Sequence, residues 1–158
     1  MDKVSKENKM NKKIILLRNK FKKYNIDGYI ISKNDDYFTE YSKINRLKII
    51  SNFSGSAGLA VVLKHKNYLF TDGRYTIQSQ IESGKNFKII TIPQKYPGDV
   101  LKTKKLKIGF DPKLHSEKQL NFLFNMKNII LKPVRKNLID ILWSQKPKNL
   151  IRPFFLLP

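Results

Sequence analysis

The sequence predicts an α/β fold, a mixed sheet with helices on both faces. Three observations carry that expectation. An amphipathic helical stretch near the N-terminus feeds directly into a short apolar strand. Two apolar runs, Leu59 to Leu63 and Leu69-Phe70, flank the polar turn Lys64-His65-Lys66-Asn67 and read as a hairpin. Beyond the hairpin, strand-length apolar runs alternate with helically spaced ones as far as Trp143. A chain of 158 residues holds one ordinary domain with a sizeable core, plus short tails.

Taken in order, residues 1–9 are polar and lysine-rich and are expected to form a disordered basic tail. The domain is expected over residues 10–143. In its first helix, ending at Tyr24, Met10, Ile14, Leu17, Phe21 and Tyr24 step by threes and fours and line one face. Asn25, Asp27 and Gly28 end that helix, and Gly28 to Ile31 is the first strand. The loop Ser32 to Tyr41 carries adjacent carboxylates at Asp35 and Asp36, read as a solvated, capping pair. Arg46 to Ile50 is expected as a second strand, running into the turn Asn52-Phe53-Ser54-Gly55-Ser56-Ala57-Gly58. There Gly55 and Gly58 are read as supplying backbone angles that other residues avoid. The apolar, centrally β-branched run to Leu63 suits a strand buried on both faces.

In the next turn, Leu69-Phe70-Thr71-Asp72-Gly73-Arg74-Tyr75, Asp72 reads as an N-cap, with Gly73 and Arg74 opening a helix to Ile81. Ile77 and Ile81, at i and i+4, are its expected inward positions, and Tyr75 is expected in the core. Phe87 to Ile92 and Leu106 to Phe110 are further strands, separated by breaks at Pro93 and Pro97-Gly98. Ser116 and Glu117 open a helix to Asn125 whose apolar face is Leu120, Phe122, Leu123 and Phe124. Asn128 to Leu131 is a short strand, and Asn137 caps a last helix, Leu138 to Trp143. Residues 144–158 carry Pro147, Pro153 and Pro158 without periodicity, the signature of a linker toward an absent further domain.

Composition narrows the function classes. No run of about 18 apolar residues occurs, so no membrane partner is expected. The absence of Cys removes disulfides and fits a cytoplasmic protein. Lys and Arg number 32 against 12 Asp and Glu, a net charge of +20. The cations are mostly Lys, spread from Lys3 to Arg152 without an Arg stripe or interleaved aromatics, so a generally basic surface with nonspecific polyanion binding at low salt is expected. No Gly-x-Ser-x-Gly elbow, phosphate loop or Cys nucleophile occurs. The two histidines, His65 and His115, have no partner at metal-ligand spacing and are expected exposed.

Four stretches in series resemble the N-terminal domain of the creatinase, prolidase and aminopeptidase P group, and the X-prolyl aminopeptidases most closely. They are the Gly-Ser-Ala-Gly turn at Gly55 to Gly58, Asp72-Gly73-Arg74-Tyr75, Gly109-Phe110-Asp111-Pro112, and Asn137-Leu138-Ile139-Asp140-Ile141-Leu142-Trp143. The loop before them keeps Glu40-Tyr41 but lacks the family's proline and has Tyr37 in place of a histidine. The resemblance implies a ribonuclease-H-like arrangement of sheet and helices. It also implies a non-catalytic domain that shapes a substrate cleft and a subunit contact. The family's catalytic domain lies downstream, where two metal ions, usually manganese, supply the hydroxide that cleaves before proline. No cofactor is expected in this chain.

By the same resemblance Arg74 and Glu40 are the candidate cleft or subunit-contact residues, and Gly55, Gly58, Asp72 and Gly73 are structural. The residues themselves leave Arg74 open between two roles, a guanidinium reaching a substrate or metal site and a local ion pair with a carboxylate such as Glu40. The implied partners are a second copy of the chain or a separately encoded catalytic domain, with proline-containing peptides as substrate only in that context. A free-standing module for peptides or nucleic acid, and a gene remnant, are the alternatives.

Overall fold

The computed structural model describes residues 3–36, 44–102, 105–125 and 128–144. Helix α1 spans Lys3–Tyr24, so residues 3–9 continue the helix instead of forming a tail. Met10, Ile14, Leu17 and Phe21 are its buried stripe, as their spacing predicts. The Arg18 guanidinium ties the helix across a hairpin by donating to Leu63 O at 2.8 Å and Asn67 Oδ1 at 2.9 Å.

Strand β1, Gly28–Ser32, follows. The stretch expected as a second strand is instead helix α2, Arg46–Ser51. Both of its ends are capped. Asn45 Oδ1 accepts from the Lys48 N–H, and Asn52 turns into the left-handed region at φ 62° while its N–H bonds back to Lys48 O. Leu47 and Ile50, fully buried, are three apart, a helical spacing.

The hairpin comprises β2, Gly58–Leu63, and β3, Asn67–Asp72. A single 3₁₀ turn over Gly73–Tyr75 leads into α3, Thr76–Ser83. Then come β4, Lys88–Ile92, α4, Pro97–Leu101, and β5, Leu106–Phe110. Helix α5, Glu117–Leu123, strand β6, Ile129–Pro133, and helix α6, Leu138–Leu142, complete the described chain. Helix α4 lies where the sequence shows only a break. Pro97 at its first position costs no hydrogen bond, and Asp99 Oδ2 accepts from the Tyr96 N–H.

The six strands form one sheet in the order β4-β3-β2-β1-β5-β6. Strand β2 runs antiparallel to both neighbours, and the other pairings are parallel. Alternation along the central strands divides the core. Tyr29, Ile31, Ala60, Val62 and Leu69 face α1, α2 and α6. Ile30, Val61, Tyr68, Phe70 and Ile108 face α4 and α5. The sheet is therefore mixed and covered on both faces, as expected.

Two helix faces differ from the expectation. Ile77 and Ile81 of α3 point outward, 78% and 65% exposed, while Ser79 and Ser83 are buried. Small serines let this helix sit close on β3 and β4, and Ser79 Oγ satisfies itself by donating to Thr76 O at 2.9 Å. On α5, Leu120 is buried but Phe122 is exposed, resting edge-on against the Tyr96 ring.

Polar clamps join the last helix to the sheet. The Arg46 guanidinium meets the Asp140 carboxylate with two bonds, 2.8 and 3.0 Å, joining α2 to α6. Burial works against the Arg46 charge, but Asp140 outweighs it and raises the guanidinium pKa. Asn137 Oδ1 accepts from the Ile139 and Asp140 N–H groups, and its amide donates to Asp111 Oδ2 at 2.8 Å. The Leu138 N–H donates to the Tyr29 hydroxyl. His115, expected exposed, is buried beside Phe110, with neither ring nitrogen making a well-formed hydrogen bond. His65 is exposed in the hairpin turn.

Candidate functional site

The candidate residues gather where the Gly55–Gly58 turn meets the turn after β3. Phe53, fully buried, fixes the first turn. Its N–H donates to Ser51 Oγ, which in turn donates to Leu47 O. A Cβ on Gly55 would strike the Phe53 ring, and one on Gly58 would stand 2.9 Å from both Leu47 and Phe53. Neither glycine has a positive φ, so it is close approach to a ring, not a special backbone angle, that requires them. Gly73 has neither constraint, its nearest neighbour being Thr91 Cγ2 at 3.9 Å. Gly58→Val is therefore expected to cost about 1–3 kcal/mol by overpacking, and Gly73→Ala to stay within about 0.5 kcal/mol of the parent. Urea melts of the two variants check this contrast.

The first turn is stapled to the second. Ser54 donates from its N–H and its hydroxyl to the Glu82 carboxylate at 2.7 and 2.6 Å, and Gln78 donates to both Ser54 and Glu82. Burial pushes the Glu82 carboxyl up, but these hydrogen bonds overcome it and hold the pKa below the ordinary value. Ser56 Oγ and the Tyr75 hydroxyl lie 2.7 Å apart, and the Tyr75 ring meets Phe53 edge-to-face at 5.8 Å. Tyr75 thus packs half-buried against the core.

Arg74 is carried outward by this frame, its side chain 74% exposed. Asp72 caps the turn by accepting the Arg74 N–H at 2.9 Å, and its carboxylate also accepts from the guanidinium. Hydrogen bonding from Arg74 lowers the Asp72 pKa. The guanidinium also lies over the Tyr75 ring, 5.4 Å from its centre. Among the described residues, the carboxylate paired with Arg74 is Asp72. Glu40, with Tyr37 and Tyr41, lies outside the described residues, and so do residues 145–158 of the expected linker.

Beside Asp72 a cleft of about 300 Å³ opens across the carboxyl ends of β1 and β3 and the start of β2. Its polar lining includes Ser32, Lys33, Asn34, Thr71, Asp72 and Gln119. The Ser32 hydroxyl is buried there without a hydrogen-bond partner among the described residues. Crevices at the carboxyl ends of strands are where open α/β sheets commonly receive ligands. Sequence reasoning named Asp72 and Arg74, which the fold places at this turn, and did not name Ser32, Ser54, Gln78 or Glu82. The signal for Ser32 was its place as the last residue of an apolar strand. Among the described residues no group of three His, Asp or Glu side chains is placed to hold a metal ion. No described helix is long and apolar enough to cross a membrane.

A family model for the creatinase/prolidase N-terminal domain matches residues 13–141. The chain belongs to that family. This creatinase/prolidase N-terminal domain is 35% identical to a probable Xaa-Pro aminopeptidase P of Coprinopsis cinerea, over 92% of the chain and 25% of the relative. Among solved structures, it resembles the X-prolyl aminopeptidase of Caenorhabditis elegans, described as a cytosolic enzyme with a di-nuclear active site. That likeness has a TM-score of 0.78 and 26% identity over 88% of this chain and 26% of the other. It also matches the fold of the N-terminal domain of a cytoplasmic peptidase from Mycobacterium tuberculosis, with a TM-score of 0.66 and 21% identity. There it covers 83% of this chain and 98% of that one. The domain spans about a quarter of the length of the curated relative.

Proposed function

We propose that this chain is the N-terminal domain of an X-prolyl aminopeptidase, non-catalytic by itself, that shapes the substrate cleft and the subunit contact. The observation that carries the reading is the match of residues 13–141 to an N-terminal-domain family and of nearly the whole chain to a quarter of such an enzyme's length, with Arg74 held exposed next to Asp72 of the cleft. The catalytic metals, manganese in this reading, are held by a separate catalytic domain, supplied in the same chain, in a second copy, or by another gene. The substrate is a peptide with proline in second position. The chain's own part is physical. The Phe53 frame and the Glu82 staple hold Arg74 outside the fold, where a guanidinium can pair with a carboxylate of substrate or of a metal site. A cytoplasmic setting fits the absence of Cys and the cytosolic description of the nematode enzyme. The basic surface adds weak, salt-sensitive polyanion binding.

The experiment is direct. Purified chain with added manganese is expected to leave an Xaa-Pro peptide uncleaved. When a relative's catalytic region is added, the chain is expected to raise its turnover. Chelator-sensitive cleavage by the chain alone, or no effect on the catalytic region, would overturn the proposal.

A further inference from the structure

A second groove, of about 580 Å³, runs beside the edge strand β4 and shares no lining residue with the cleft beside Asp72. Tyr68, Ile90 and Val100 line it with apolar surface, Tyr68 being almost fully buried. Lys88, Lys95 and Lys102, all exposed, bring three positive charges to it. The carboxylate among its lining residues, Asp99, is engaged in capping α4 through the Tyr96 N–H. Strand β4 is the last strand on its side of the described sheet, so alternate backbone groups along its outer edge have no strand among the described residues to pair with.

We propose that this groove binds an extended acidic peptide segment of a partner protein, which adds to β4 as a further strand. The five residues of β4 offer about 16 Å of edge, enough for about five residues of an added strand. Main-chain bonds to the edge supply affinity, and the lysines supply selection. A lysine on an edge strand repels a basic strand and attracts an acidic one. A second copy of this chain, at +20, is the occupant these charges disfavour. Nucleic acid is disfavoured on a different ground, since Tyr68 is covered and no exposed ring in the groove offers a stacking platform.

The test uses the full chain and three labelled probes in about 0.15 M salt. One is a short peptide alternating Glu and Val, one its Lys and Val counterpart, and one a single-stranded oligonucleotide of similar length. Fluorescence anisotropy is expected to show the acidic peptide binding about tenfold or more tighter than the other two. Amide hydrogen exchange in the unmodified chain is expected to slow at residues 88–92 when that peptide is bound. The charge-reversed variant Lys88→Glu/Lys95→Glu/Lys102→Glu is expected to lose that binding. Equal binding by the variant, slowed exchange elsewhere but not on β4, or tighter binding of the oligonucleotide would each overturn the proposal.

Discussion

Asp140→Ala is expected to destabilise the fold by about 3 kcal/mol. The reason is what the substitution leaves behind. Arg46 is 5% exposed, and its guanidinium makes two short bonds to Asp140. Removing the carboxylate strands a permanent charge between α2 and α6, because an arginine cannot shed its proton to escape burial. The pair itself contributes much less than that cost, since desolvation offsets most of its attraction. Arg46→Met/Asp140→Leu is therefore expected to recover most of the loss. Urea melts of the single and double variants decide the point. A loss below about 1 kcal/mol for Asp140→Ala would mean the pair behaves as a surface bridge and does not hold α6 in place.

Acid is expected to unfold the domain partly through His115. Burial drives its pKa down from 6.5 to about 4, against the nearby Asp111 carboxylate and Gln119, which favour the charged form. Above pH 6.5 the imidazole is neutral in both states and pH has no effect through it. As pH falls from 6.5 toward 4, the unfolded chain takes up a proton that the folded chain refuses, so stability drops. The slope is about 1.4 kcal/mol per pH unit and the total about 3 kcal/mol. His115→Leu keeps the site apolar and removes the titration. Denaturant melts at pH 7 and pH 4.5 are expected to show a larger acid loss in the parent than in the variant, by about 2–3 kcal/mol. Equal losses would mean that His115 is protonated without cost in the folded state.

Both of these large effects come from residues whose environment the sequence did not reveal. The elements with regular apolar spacing were legible. The α1 stripe from Met10 to Phe21, the β2–β3 hairpin and the caps at Asp72 and Asn137 all stand where pattern and capping chemistry place them. The stretch 46–51 was misread because Leu47 and Ile49 mimic strand alternation in a segment shorter than two helical turns. The caps at Asn45 and Asn52, with the Leu47–Ile50 spacing, distinguish it as a helix. The inward face of α3 was misread because apolar residues are assumed to turn inward. Close packing on the sheet instead selected Ser79 and Ser83 and left Ile77 and Ile81 in solvent. His115 lies in a turn with no periodicity, and only the folding of the Asp111–Leu114 turn against α5 places it under cover.

At the candidate site the described motif residues stand together, and the contacts of the two glycines differ from those the sequence suggested. Asp72 caps the turn and pairs with Arg74, a local ion pair of the kind one of the two readings required, while Glu40 lies outside the described residues. Gly55 and Gly58 are held by contact with Phe53, a tertiary constraint that no local pattern announces.

The most direct test of the central claim is Arg74→Ala, measured for both folding and cleavage with an X-prolyl aminopeptidase catalytic region supplied in cis. Arg74 is exposed and its ion pair with Asp72 lies at the surface, so stability is expected to stay within about 1 kcal/mol of the parent. Cleavage of an Xaa-Pro peptide per folded molecule is expected to fall by about tenfold or more, as the loss of a charge-assisted contact to substrate would require. A stable variant that cleaves as fast as the parent, or an unstable one whose folded fraction cleaves normally, would contradict the assignment of this turn to the substrate cleft.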